Sequence, residues 1–183
     1  MAIDYSKGSV NLRDVSEFVN LIAGTSLLRE GRLLRGGKLD FVKSKEDIGS
    51  PGTIINLRKS EDFKTFADRT FWFPISNDYE KYDTSNHEVK LWINRIVKIF
   101  EDPHLALPVL IHCNTGKDRT GVVVAALLKI LEIPEEIIVE EYLLSEGDVR
   151  EEYIRQALAG IGDPKKYFTR INLDKVKADF KWQ

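Results

Sequence analysis

The chain has 183 residues, 43% hydrophobic and 31% charged, a globular mixture with neither a disordered nor a membrane bias. At this length one domain, spanning 1–183, buries about 70% of its unfolded surface and needs no staples. Lys and Arg number 27 against 29 Asp and Glu, and the net charge of −2 argues against a general nucleic-acid binder. A single cysteine excludes an internal disulfide and a multi-cysteine zinc site. No apolar run approaches the roughly 18 residues of a transmembrane segment, and the opening MAIDYSKGSVNLRD lacks the apolar core of a secretory signal. These features predict a soluble, cytoplasmic domain whose one cysteine is either a small buried apolar residue or a reactive thiol.

Short apolar runs predict strands at Arg32 to Arg35, Thr53 to Leu57, Phe71 to Ile75 and Pro108 to His112. TIINL and PVLIH carry apolar residues at successive positions, the pattern of strands covered on both faces. Val89, Trp92, Ile93, Ile96, Val97 and Phe100 recur at helical spacing and predict an amphipathic helix. Arg119 to Leu131 is apolar almost all round and predicts a central, buried helix. Pro134 opens a further helix to about Ser145, with Glu135 and Glu136 where the helix dipole favours acids. Arg150 to Ala159 and Asp174 to Lys181 predict two more. Strands interleaved with helices, then a helical tail, indicate an α/β fold with a mostly parallel sheet.

The chemistry concentrates in PVLIHCNTGKDRTGVVVAALLKIL, Pro108 to Leu131, which reads strand, glycine-containing turn, long helix. Cys113 ends the strand and Arg119 begins the helix. A loop of that length can curl so that successive backbone N–H groups converge, and with the helix dipole they make an anion site. Arg119 adds a planar fork for two phosphate oxygens. A thiol at the bottom of such a positive bowl is favoured as the thiolate, so the arrangement describes phosphoryl transfer to cysteine. A nucleotide-binding loop is excluded, because Ile111 and Asp118 stand where that motif needs glycine and Ser/Thr.

His112-Cys113-Asn114-Thr115-Gly116-Lys117-Asp118-Arg119-Thr120-Gly121 resembles the signature loop of the cysteine-dependent protein tyrosine phosphatases. The Gly-Lys-Asp-Arg-Thr-Gly form is similar to bacterial and fungal tyrosine/dual-specificity phosphatases that also act on phosphoinositides. NLRDV (11–15), LLRGGKL (33–39), INLRKSED (55–62) and IVEEYLLSE (138–146) fall in that family's order. The resemblance implies a three-layer α/β/α phosphatase fold with a mostly parallel central sheet and no metal or organic cofactor. It implies hydrolysis of phosphotyrosine in proteins, with dual-specificity potential, or of a phosphoinositide or inositol phosphate by the same mechanism. Phosphate and vanadate are the expected site ligands.

The resemblance also distributes roles. Cys113 is the nucleophile, Arg119 the phosphoryl clamp, and the amides of Asn114, Thr115, Gly116, Lys117, Asp118 and Arg119 the cradle. Thr120 either supports the thiolate and the second step or serves as ordinary helix N-terminal chemistry. His112 is expected to lie beneath the loop and organise it by hydrogen bonds. The proton donor stays open between Asp118, which the family with this loop uses, and Asp78 on the upstream FWFPISNDYEKYD segment. Lys117 either contacts a neighbouring phosphate or faces water; Arg58 and Arg13-Asp14 line or brace the site, or form structural ion pairs. The Arg-terminated loop speaks against sulfur transfer, and the presence of both Cys113 and Arg119 against a non-catalytic phospho-ligand module.

Overall fold

Among the described residues, five strands, β1 (Arg13–Asp14), β2 (Leu33–Gly36), β3 (Thr53–Asn56), β4 (Arg69–Trp72) and β5 (Val109–His112), form one sheet in the order β1-β2-β5-β3-β4. Only β1 runs antiparallel, to β2; the other pairings are parallel, as expected. The computed structural model describes residues 3–182, so residues 1, 2 and 183 of the expected 1–183 domain lie outside the described residues.

Successive side chains on a strand point to opposite faces. Leu33, Ile55, Val109 and Ile111 therefore enter the main core, while Leu34, Ile54 and Leu110 enter a smaller one with Leu39, Val42 and Ile48. Helical cover lies on both faces: among the described residues seven α-helices serve the larger core, and the 3-10 turn Glu46–Ile48 closes the smaller. The helices are α1 (Val15–Ala23), α2 (His87–Lys98), α3 (Asp118–Ile130), α4 (Glu135–Leu143), α5 (Glu151–Ile161), α6 (Pro164–Tyr167) and α7 (Leu173–Ala178). Helix α3 is the hub, buried from Thr120 to Leu128 and packed against α2, α4, α5 and α7. Each fully buried Val, Leu or Ile along it contributes roughly 1.5–3 kcal/mol of transfer free energy.

Three differences from the sequence expectation have local causes. Helix α1 was not anticipated, although Asp14 marks its start by accepting from the Ser16 and Glu17 amides and Gly24 its end in a left-handed cap. Asp14 is thereby a helix cap rather than a site residue; it also accepts from Gly31 N at 2.5 Å. Strand β4 spans Arg69–Trp72 rather than Phe71 to Ile75, since the Phe73 amide makes the last ladder-like bond, to Asn56 O at 2.9 Å, and Pro74 has no N–H to continue. Asp118 belongs to α3 as its first residue, not to the loop before it.

The carboxyl ends of β2, β3 and β5 lie side by side, with β5 in the middle. Open parallel sheets present ligand sites at that edge. The chain leaves it through Gly37 after β2, Leu57-Arg58 after β3 and Cys113 after β5.

Candidate active site

Residues 113–117 connect β5 to α3, and their shape is imposed from outside. Lys38 N donates to Asn114 O at 2.9 Å, Asn11 Nδ2 to Thr115 O at 2.7 Å and Arg35 Nη2 to Gly116 O at 2.9 Å. In a trans peptide the carbonyl and the following N–H point in opposite directions. Three carbonyls drawn outward therefore turn the amides of Thr115, Gly116 and Lys117 to the inside, an arrangement suited to an anion. Gly116 has φ +68°, and a Cβ there would stand 2.5 Å from Gly36 C and 2.6 Å from Gly36 O. The loop thus rests directly on the backbone of the Arg-Gly-Gly segment. Cys113 is 2% exposed at its base.

Arg35 is fully buried and central to this arrangement. Its Nη1 bonds Glu141 Oε2 at 2.6 Å, while Arg13 Nε bonds Glu141 Oε1 at 2.8 Å. Arg13 Nη2 also reaches Glu141 O and Ser145 Oγ. Burial, followed by the charge of Arg35, pulls the Arg13 guanidinium below its ordinary range, and Glu141 opposes both. Two cations around one buried carboxylate lock the loop to α4 from below.

A second brace lies on the β3 side. Arg58 gives Nε to Asn114 Oδ1 at 2.9 Å and Nη1 to Asp40 at 2.8 Å and Asp62 at 3.4 Å. Its guanidinium is held by these partners, the bracing and ion-pairing arrangement among those the sequence left open. His112 is buried as expected, but its Nε2 meets Asp62 Oδ2 at 2.8 Å instead of the loop backbone. His112 Nδ1 and Thr120 Oγ1 are buried with no hydrogen-bond partner among the described residues.

At the start of α3 opens a cleft of ≈ 440 Å³, lined among others by Tyr79, Lys81, Tyr82, Asp118, Arg119 and Tyr153. Arg119 anchors one arm, Nη1, to Leu57 O at 2.8 Å and lines the cleft beside Asp118. Asp118 also receives Tyr82 Oη at 2.7 Å. Asp78, the other expected acid, is exposed, bonded to Ser76 Oγ at 2.8 Å, and is not among the cleft-lining residues. Lys117 is likewise absent from the lining: its Cδ lies over Gly147 and its Nζ is 3.7 Å from Asp118 Oδ2. The lysine that flanks the cleft is Lys81, held by Ser76 O at 2.7 Å. Burial first, then the charge of Arg119, keeps its ammonium below the ordinary lysine range.

Sequence reasoning missed Arg35, Glu141, Asp62, Lys81, Tyr82 and Tyr142. For Arg35 and Glu141 a signal existed. A charge inside the apolar strand LLRG, and another on the Ile138/Val139/Tyr142 face of α4, both demand buried partners. Their pairing is long-range and has no local signature.

A model of the tyrosine phosphatase family matches residues 5–179. Triple specificity protein phosphatase PtpB of Mycobacterium tuberculosis is 35% identical over 75 residues, which cover 41% of this chain and 26% of PtpB. The chain therefore matches only about a quarter of that relative's length. Among solved structures, the core catalytic domain of the PP-IP phosphatase SIW14 from S. cerevisiae, in complex with citrate, aligns with a TM-score of 0.59 at 16% identity. That alignment covers 85% of this chain and 96% of the other. P. aeruginosa TpbA, as a cysteine-to-serine variant in complex with pTyr, aligns with a TM-score of 0.50 at 16% identity, over 97% of this chain and 93% of that one. These two likenesses establish the shared fold.

Proposed function

The chain belongs to the tyrosine phosphatase family, and from that premise we propose that it hydrolyses phosphomonoesters through a phosphocysteine intermediate on Cys113. The observation that carries this reading is the loop itself. The amides turned inward by three outward-held carbonyls, together with Arg119, supply donors suited to a dianion and better still to its transition state.

The thiolate of Cys113 attacks phosphorus in line with the ester oxygen, forming the S–P bond as the P–O bond breaks. Charge in that loose transition state spreads over three equatorial oxygens. The cradle amides and the free arm of Arg119 hold them. Asp118, at the cleft and next to Arg119, gives its proton to the leaving oxygen. Its carboxylate then takes a proton from the water that attacks phosphorus and breaks the S–P bond. Thr120 Oγ1, buried and unpartnered among the described residues, is available to stabilise the thiolate on its release. Arg58 acts through Asn114 as a brace, and in this reading Asp118 rather than Asp78 is the proton donor. A reducing, cytoplasmic setting suits an enzyme whose nucleophile is its only cysteine.

Phosphotyrosine in proteins is the leading substrate, with phosphoserine and phosphothreonine as further ones; PtpB's description as a triple specificity phosphatase supports breadth. Inositol phosphates are the second reading, favoured by Lys81, a cation on the cleft wall beyond what one phosphate needs. Side-by-side assays on a phosphotyrosine peptide, a phosphothreonine peptide and a phosphoinositide decide among them. Lys81→Met should weaken kcat/KM for a vicinal bisphosphate more than for a monophosphate if the second reading holds. Cys113→Ser should bind inorganic phosphate and vanadate yet lose turnover; retention of about a hundredth or more of the wild-type rate overturns the mechanism.

A further inference from the structure

In this reaction Asp118 must present one particular proton in one direction. Its side chain is 45% exposed at the first turn of α3, and a carboxyl so placed turns easily about its last torsion and can offer either oxygen. A contact across the cleft wall removes that freedom. Tyr82 Oη donates to Asp118 Oδ1 at 2.7 Å and lies 2.7 Å from Tyr142 Oη. A phenol carries a single proton. With that proton given to Asp118, the Tyr82 oxygen accepts from Tyr142, so the chain runs Tyr142 to Tyr82 to Asp118.

Both rings are fixed. Tyr82 is 6% exposed, meets Tyr142 edge-on with centroids 6.2 Å apart, and stacks on Tyr153 at 5.2 Å. Burial, reinforced by the bonds to Tyr142 and Asp118, pushes Tyr82 far above the ordinary phenol range. It is therefore a neutral donor at any pH at which the protein would work.

We infer that Tyr82 is a positioning residue for the proton donor. Its hydroxyl holds Oδ1 as an acceptor and so confines the acid's proton to Oδ2, the oxygen on the Lys117 side. A proton on Oδ1 would meet the Tyr82 O–H along the same line. When the P–O bond breaks, the Oδ2 proton goes to the leaving oxygen. In the second step the same Oδ2 takes a proton from water, while Tyr82 keeps its own throughout. Tyr142 supports this at one remove by fixing the direction of the Tyr82 hydroxyl. The inference rests on the reading of Asp118 as the acid.

The experiment measures kcat/KM against leaving-group acidity for the full chain carrying Tyr82→Phe, Tyr142→Phe, Asp118→Asn and the double change Tyr82→Phe/Asp118→Asn. General acid help matters for a poor leaving group and little for an activated aryl phosphate. Tyr82→Phe should lose about tenfold on an alkyl phosphate and less than about twofold on the activated aryl ester, with an unchanged inhibition constant for inorganic phosphate. In the Asp118→Asn background the further loss should vanish, because no proton remains to be placed. Tyr142→Phe should shift the same slope by about threefold, which keeps the test intact if Tyr82→Phe folds poorly. A uniform loss on all substrates, or none, while Asp118→Asn keeps its leaving-group dependence, overturns the positioning role and leaves the acid standing. If Asp118→Asn itself shows no leaving-group dependence, the acid assignment fails first and the inference falls with it.

Discussion

Replacing Glu141 by Gln is the sharpest test of how the loop is held. Glu141 is 1% exposed and takes two guanidinium bonds, at 2.6 Å from Arg35 and 2.8 Å from Arg13. The substitution keeps the shape and removes the charge, leaving two buried cations facing each other with no anion between them. Breaking a buried pair in this way costs about 3–5 kcal/mol. Against a total stability of roughly 5–15 kcal/mol that is a large share. With a urea slope of about 2–3 kcal/mol/M for a domain of this size, the midpoint should fall by about 1–2.5 M. A fall under about 0.5 M would refute the view that the triad is a tightly coupled unit. The triple variant Arg13→Met/Glu141→Leu/Arg35→Met separates stability from function. Whole-triad replacement by apolar residues is often neutral or stabilising, so its midpoint should return toward wild type. Gly116 O still lacks its donor there, and inorganic phosphate should compete about tenfold more weakly, the value of one charge-assisted bond of ~1.5 kcal/mol. Normal phosphate competition in a restored triple variant would show that Arg35 does not orient the cradle.

Gly116→Ala forces a side chain onto a positive φ and against Gly36 backbone that cannot yield, so kcat/KM should drop by about 10²-fold or more while the urea midpoint changes far less; near-normal kinetics would contradict the tight seating of the loop. Arg119→Lys keeps a charge but cannot both reach Leu57 O and fork two phosphate oxygens, so kcat should fall on the order of 10²–10³-fold, and a loss under about tenfold would remove the clamp. Burial raises Tyr82 and pushes Tyr142 up to about 12, so each ionises more readily unfolded than folded. Their stabilising contribution is whole below an unfolded phenol value of about 10 and is lost as pH rises from there through about 12. Tyr82→Phe/Tyr142→Phe should therefore show a shallower decline of urea midpoint across that window than wild type, and equal slopes would refute the assignment.

Much of the catalytic segment was legible without coordinates because its signals are local. A buried strand, a short glycine-containing loop and a helix with Arg119 in its first turn lie consecutively in Pro108 to Leu131, and residues that close are fixed in relation to one another by backbone geometry alone. Periodicity likewise identified α2 and α3, where burial dominates the pattern. Helix α1 was equally local in its signals, but Asp14 and Gly24 act as caps only once they are read together.

What the tertiary structure alone decided is how the loop is held and where the two candidate carboxylates stand. Asp78 and Asp118 are chemically the same acid in sequence; folding ties one to Ser76 in the open and sets the other at the cleft under Tyr82. Arg35 and Glu141 become partners only when β2 and α4 are brought together, and Lys81 becomes a cleft cation only when its loop meets the start of α3. The reason is physical. Local signals report backbone preferences and the polarity of a face, whereas ion pairing and hydrogen-bond order depend on which distant groups are brought within a few ångströms and stripped of water, a quantity that belongs to the assembled core.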